Sequence, residues 1–317
     1  MCSAKGRSTV SVVVNGAGDV RRPVASFGFD RGILIGIGFM LITTALFPVM
    51  NGMVKLLNAG YDPMQIVWAR TLGHTIFMLM LFAPKRGLGI FRTTMPGAQF
   101  GRSMLLLAST ACFFFAVKYV PLATAAAIGF IAPLIVNLLA VPMLGEKLSA
   151  GRIAAVVVGL LGVLIIIRPG TNVFHWASLF IIASSSCYAL YQVYTRKVAG
   201  HDAPETSVVY SALLGTVVMT FVLPWVWRTP ASWQDIVILS SLGLFGGLGH
   251  YFVARAMTYG AANIMSAFNY FQMIGSVIVG YLMFGEMPDW MTWAGTAIIV
   301  ACGLYVAWNG SRVKKTA

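Results

Sequence analysis

A chain of 317 residues that is 58% hydrophobic and only 10% charged, with a mean hydropathy of +0.82, has too little charge to cover the surface of a water-soluble domain. Its net charge of +13 would suit nucleic acid, but the Lys and Arg residues lie in short clusters between apolar runs and form no phosphate-binding stripe. The composition therefore describes an integral membrane protein whose surroundings are a lipid bilayer, with no nucleic acid as partner.

In chain order, residues 1–31 are polar, mixed in Gly, Val and Arg, and lack an apolar core followed by a small-residue cleavage site. They are read as a disordered cytoplasmic tail and not as a signal peptide. Apolar runs of about 18–23 residues follow, each able to cross roughly 30 Å of hydrocarbon at 1.5 Å per residue. They predict helices over 32–56, 64–83, 101–118, 122–143, 151–168, 175–196, 205–227, 236–257, 261–284 and 291–309, with a short tail at 310–317. Asp62, Asp202, Ser232 and Asp289 stand where N-caps would open the helices that follow them. Cys112, Cys187 and Cys302 lie inside apolar runs without CxxC spacing, as packing residues do.

Lysine and arginine set the orientation. With the N-terminus inside, the cytoplasmic segments hold Lys5, Arg7, Arg21, Arg22, Arg31, Lys85, Arg86, Arg92, Arg102, Lys147, Arg152, Arg196, Lys197, Arg312, Lys314 and Lys315. The other side keeps Lys55, Lys118, Arg168 and Arg228. Both termini are expected in the cytoplasm of a multi-pass protein of the cytoplasmic (inner) membrane.

The chain also repeats itself. Residues 114–146 and 254–286 match at Ala116/Ala256, Tyr119/Tyr259, Gly145/Gly285 and Glu146/Glu286, at a constant offset of 140 positions. Five helices per half is an odd number, so the second half must enter the bilayer inverted. The loop after Glu146 carries Lys147 and Arg152, whereas its copy after Glu286 carries Asp289 and no base, the charge divergence an inverted repeat requires. The expected fold is an all-α integral membrane protein of ten transmembrane helices in two inverted five-helix repeats, residues 32–168 and 175–309.

Two such halves, each ending its fourth helix in Gly-Glu, resemble the EamA family of the drug/metabolite transporter superfamily. The stretch Pro121-Leu122, Ala132-Pro133-Leu134 and Leu144-Gly145-Glu146 is similar to that family's most recognisable segment, and Arg70 matches its usual arginine in helix two. Pro121 and Pro133 have no proline counterpart at Ala261 and Met273, and Arg70 aligns near Ser211, so the halves are no longer equivalent. The resemblance implies a secondary carrier of small organic solutes. The family holds amino-acid and metabolite exporters as well as importers of vitamins and of S-adenosylmethionine, so direction stays open. Homodimer formation is also left open.

Several side chains are candidates for solute binding. Arg70, about 10 Å inside helix two, faces either a cavity or, by snorkelling, the headgroups. Ser266, Asn269 and Tyr270 share one helix face, with Gln272 close by, near the expected midplane. Tyr188, Tyr191 and Gln192 form a second such set, and His250 and Tyr251 a third group; interhelical hydrogen bonding is the alternative role for all of them. Neutral polar groups among aromatic rings suit an uncharged or zwitterionic planar solute, either a riboflavin-like vitamin entering or an amino-acid-like metabolite leaving. Glu146 and Glu286, beside Gly145 and Gly285, are read as structural helix-end residues more than as proton carriers. No G-x-x-x-x-G-K-[ST], HExxH or paired acidic cluster is present, so an intramembrane enzyme has no reactive constellation and no metal or cofactor is implied.

Overall fold

Proline and short polar turns cut the chain into helices. The computed structural model describes residues 31–144, 150–171 and 174–313. The helices are α1 (Arg31–Leu57), α2 (Pro63–Arg86), α3 (Pro96–Ala116), α4 (Leu122–Gly129), α5 (Ile131–Leu144) and α6 (Ala150–Ile167). They continue with α7 (Ser178–Val198), α8 (Pro204–Val226), α9 (Trp233–Tyr259), α10 (Ala262–Ala267), α11 (Gln272–Phe284) and α12 (Trp290–Val313). Among the described residues there is no β-strand. Among the described residues seven helical stretches are long and apolar enough to cross a membrane, and two shorter apolar helices, Ile153–Ile167 and Trp290–Val306, accompany them. The tail expected at 1–31 falls outside the described residues except for Arg31, which already belongs to α1.

Helix starts follow local chemistry. Proline at the first turn of α2, α3 and α8 loses no intrahelical bond there. The Asp62 carboxylate accepts from Met64 N (2.8 Å), Ser232 Oγ from Asp235 N (3.2 Å) and the Asp289 carboxylate from Thr292 N (2.9 Å), as expected of caps. Asp202 is a correction: the residue before α8 is Ala203, without a side-chain cap, and Asp202 instead accepts from Thr94 N (2.8 Å), Thr93 Oγ1 and Gln99 Nε2 (2.9 Å). The carboxylate turns back to the loop before α3 because three donors await it there. Burial pushes the Asp202 carboxyl up, but these donors outweigh it and hold its pKa below the ordinary aspartate value.

Arg102 is a second correction. Counted by sequence as a cytoplasmic charge, it lies in the second turn of α3, fully buried, donating to Thr195 Oγ1 (3.1 Å), Gln99 Oε1 (3.3 Å), Ser211 Oγ (3.1 Å), Tyr191 Oη (3.1 Å) and the Ser207 carbonyl. α3 begins five residues earlier than its hydropathy suggests, which draws Arg102 inside.

The packing is paired. α1 lies on α9 and α3 on α7; α2 meets α9 and α3 meets α8; α1 meets α11 and α7 meets α5; α4 meets α11 and α10 meets α5. Moving each first-half helix forward and each second-half helix back by 140 positions turns the first contact of each pair into the second. α2 with α8 and α6 with α12 map onto themselves. Small residues allow the closest approaches. A Cβ at Gly162 would sit 3.0 Å from the Gly295 carbonyl between α6 and α12, and one at Gly73 would sit 3.2 Å from Gly243 Cα between α2 and α9.

Contacts between loops define the two ends. At one, Arg228 donates to the Gly60 carbonyl (2.7 Å), Tyr61 Oη donates to Asp235 (2.7 Å), and ion pairs join Arg168 to Asp289 and Lys55 to Glu286. The exposed Trp176, Trp225, Trp227, Trp233 and Trp290 gather there, as in an interfacial aromatic belt. At the other end Asp202 meets Thr93 and Thr94, and Arg86 pairs with Glu205 (3.3 Å). Between the ends, side chains such as Leu34, Ile42, Met80, Leu161 and Phe221 lie exposed on the outside. An exterior this apolar fits lipid and not water.

Candidate functional site: a cavity at two helix breaks

Pro133 has no N–H to offer the Gly129 carbonyl and its ring crowds that oxygen, so α4 stops at Gly129. Phe130 N closes the turn by donating to the Ala126 and Ala127 carbonyls (3.1 and 3.3 Å), and α5 resumes at Ile131. In the second half α10 ends at Ala267, Phe268–Phe271 tighten into a 3₁₀ turn and α11 begins at Gln272. That break has no proline behind it; Met273 stands where the first half has Pro133. The predicted helices 122–143 and 261–284 are thus each interrupted, at corresponding places. Phe130 and Tyr270, 140 positions apart, meet edge to face with ring centroids 5.3 Å apart.

Beside this contact lies a cavity of about 130 Å³. Phe47, Met50, Leu106, Phe113, Phe114, Phe130 and Pro133 supply its apolar wall; Asn51, Arg70, Ser109, Thr110, Ser184, Ser185, Tyr188, His250, Asn269 and Gln272 supply polar groups. Most hydroxyls are already engaged: Ser184 Oγ donates to the Ser109 carbonyl (2.8 Å) and Ser185 Oγ to the Ile181 carbonyl (2.7 Å). Arg70 Nε, Tyr188 Oη and Asn269 Nδ2 have no hydrogen-bond partner. Buried polar atoms left unpaired each cost about 1–3 kcal/mol, which a bound solute can offset.

Of the candidates read from sequence, Arg70, Tyr188, His250, Asn269, Gln272 and Pro133 line the cavity. Tyr191, Gln192, Ser266 and Tyr270 are buried but are not part of its lining. Tyr191 accepts from Arg102 and stands 3.4 Å from His250 Nδ1. Tyr251 lies elsewhere, its hydroxyl 3.3 Å from Glu205 and its ring on Phe82 (5.1 Å). Pro121 immediately precedes α4. Gly285 ends α11 with φ +67°, a left-handed turn that glycine adopts without strain. Gly145 and Glu146 lie outside the described residues.

Glu286 does more than end a helix. Its carboxylate accepts from Leu122 N (3.0 Å), the first amide of α4, while pairing with Lys55. A carboxylate of the second half thereby satisfies an orphan donor at the start of the broken helix of the first.

Sequence reasoning missed Asn51, Ser109, Thr110 and Ser184 in the lining, and His74, which stacks on His250 (6.3 Å, 12°). The Ser184-Ser185-Ser186 run was the visible signal; isolated Asn51 and Thr110 inside apolar runs gave little.

The family model of the EamA-like transporter family matches residues 30–168 and again 175–308. The chain is similar to a protein named S-adenosylmethionine uptake transporter from Rickettsia felis (25% identity, 87% of this chain and 93% of that one). It is similar to the riboflavin transporter of Vibrio cholerae (25%, 89% and 96%) and to the pseudopaline exporter CntI of Pseudomonas aeruginosa (26%, 84% and 94%). A solved crystal structure shares the fold with a TM-score of 0.61, at 19% identity, over 89% of this chain and 98% of that one.

Proposed function

Because the chain belongs to the EamA-like transporter family, we propose that it is an alternating-access carrier of a small organic solute, built from ten membrane-spanning segments in two inverted repeats. The observation that carries this reading is the meeting of Phe130 and Tyr270, equivalent residues at the two helix breaks, beside the polar cavity. Paired breaks in corresponding segments of two halves mark carrier binding sites, since loosened backbone is tolerated at membrane depth only where it borders a cavity or protein. Counting α4–α5 and α10–α11 as one segment each gives five per half, and the 140-residue exchange of helix contacts supports a two-fold axis in the membrane plane. The lysine and arginine distribution, with Arg102 removed from it, still supports cytoplasmic termini in the inner membrane.

The cavity favours the smaller of the two solute classes. At about 130 Å³ it lies below the roughly 300–1,000 Å³ of drug-sized sites, so an amino-acid-like metabolite fits this state more readily than a flavin. Substituted-cysteine accessibility tests the carrier reading. In a chain whose native cysteines are replaced, a cysteine at position 269 should react with impermeant thiol reagent from either face, and solute should shift the balance. Reaction from one face alone, unaltered by any transported solute, would count against alternating access.

A further inference from the structure

We infer that Arg70 is a receptor for a carboxylate carried by the solute, so that the cavity takes a small organic acid or zwitterion with an apolar or aromatic body. This rests on the carrier reading and names the chemistry of the same site. Arg70 is 2% exposed, about two turns into α2, and it borders the cavity. Nη1 donates to Thr110 Oγ1 (3.2 Å) and the group lies 5.8 Å from the centroid of the Phe114 ring. No acidic residue among those described pairs with it or lines the cavity.

Arg102, the other buried guanidinium, has its hydrogen bonds filled and reaches Asp202 through Gln99, which donates to the carboxylate at 2.9 Å. Arg70 has neither. A cation held in a membrane interior without a counter-ion is costly, and such residues pair with one another, with backbone or with what passes through. No described residue supplies the anion, so the solute is its source.

The free side of Arg70 has the right shape. Nε has no hydrogen-bond partner, and with Nη2 it forms the planar edge that holds a carboxylate bidentately. That edge faces Gly246 of α9. A methyl added at Gly246 would stand 2.9 Å from Nε and 3.4 Å from Nη2 and would push the guanidinium from its place, so the group packs closely on the α9 backbone beside the cavity. Glycine at 246 is what lets the guanidinium sit there. Asn269 Nδ2 and Tyr188 Oη, also unpaired, offer further donors, and the aromatic wall takes the solute body.

The test uses the full chain and matched pairs of probes: L-phenylalanine, L-tryptophan, L-methionine and phenylacetate, each against its carboxamide, with riboflavin as a neutral planar control. Thermal stabilisation of detergent-solubilised protein reads binding, and counterflow in proteoliposomes reads movement. At least one carboxylate should bind about tenfold or more tightly than its amide, a preference of the size one charge-assisted pair gives. Arg70→Gln should erase that preference. Gly246→Ala, which keeps the charge and displaces the guanidinium, should reduce it, so a misfolded Arg70 variant does not leave the question open. Equal binding of every acid and amide to the wild type, or an acid preference intact in both folded variants, would overturn the carboxylate anchor. Counterflow of riboflavin, with no carboxylate preferred over its amide, would overturn it while leaving the carrier standing. Arg70-dependent carboxylate binding without counterflow of any solute would support the anchor and refute the carrier.

Discussion

Phe130 and Tyr270 occupy the same position in the two halves of the chain, and their rings meet edge to face at 5.3 Å where both halves break their fourth helix. Such pairs are worth about 0.5–1.5 kcal/mol beyond the area they bury. A double-mutant cycle with Phe130→Ala and Tyr270→Ala, read by unfolding in detergent, should therefore show coupling in that range. Strict additivity would mean the contact holds nothing together. Tyr270→Phe should be mild, because its hydroxyl has no partner.

Glu286 is a cap and an ion-pair partner at once, through Leu122 N and Lys55. Glu286→Gln keeps an acceptor and loses the charge; Glu286→Ala loses both. The expected order of lost stability is Ala above Gln above wild type, with the Ala variant down by about 1 kcal/mol or somewhat more. Transport per inserted molecule should change less than the amount of inserted protein. A transport defect in Glu286→Gln at normal protein level would assign the carboxylate a role in the cycle instead.

Arg102 makes its case by contrast with Arg70. Its donors satisfy Thr195, Gln99, Ser207, Ser211 and Tyr191, joining α3 to α7 and α8. Arg102→Ala orphans several buried acceptors and should cost about 3 kcal/mol or more. Arg102→Lys should rescue little, since an ammonium cannot reach the same planar set. Membrane yield and melting temperature measure both; an Arg102→Ala protein as stable as wild type would contradict the network.

The Arg168 guanidinium beside it holds the Asp289 carboxyl at about 2, below the roughly 3.9 of an unfolded aspartate. A depressed carboxyl contributes stability that is complete above the unfolded value and is lost as pH falls from about 4 towards 2. The melting temperature of Asp289→Asn should accordingly lie below that of wild type at pH 6 and converge with it near pH 2. With the side chain 46% exposed, the difference should be small and should shrink in high salt. A gap constant from pH 6 to pH 2 would place the effect in something other than this charge.

Much of the fold was legible in the sequence, and the reasons are physical. Runs of about twenty apolar residues have few alternatives to a membrane helix, and a repeated Gly-Glu at constant offset betrays duplication. Pro133 carries a mark of the first break in its missing N–H, although hydropathy reads 122–143 as one helix; the second break, at Phe268–Phe271, has no such mark and was invisible. Arg70, Asn269 and Gln272 stood out as polar residues in apolar surroundings and do reach the cavity. Arg102 was misassigned because a basic residue near a predicted helix end looks like a topology signal, and only the long-range partners on α7 and α8 reveal that it is buried. Tyr251 neighbours His250 in sequence, yet one helical step turns it out of the cavity towards Glu205.

Counterflow of labelled solute into proteoliposomes preloaded with the unlabelled compound, normalised to inserted protein, tests the carrier most directly. Wild type should show a saturable overshoot. Asn269→Ala and Gln272→Ala should each weaken it about ten- to a hundredfold in solute affinity, the loss of one buried polar contact apiece, while remaining folded. Wild-type overshoot in both variants across all solute concentrations would show that solute does not pass through the cavity between the two helix breaks.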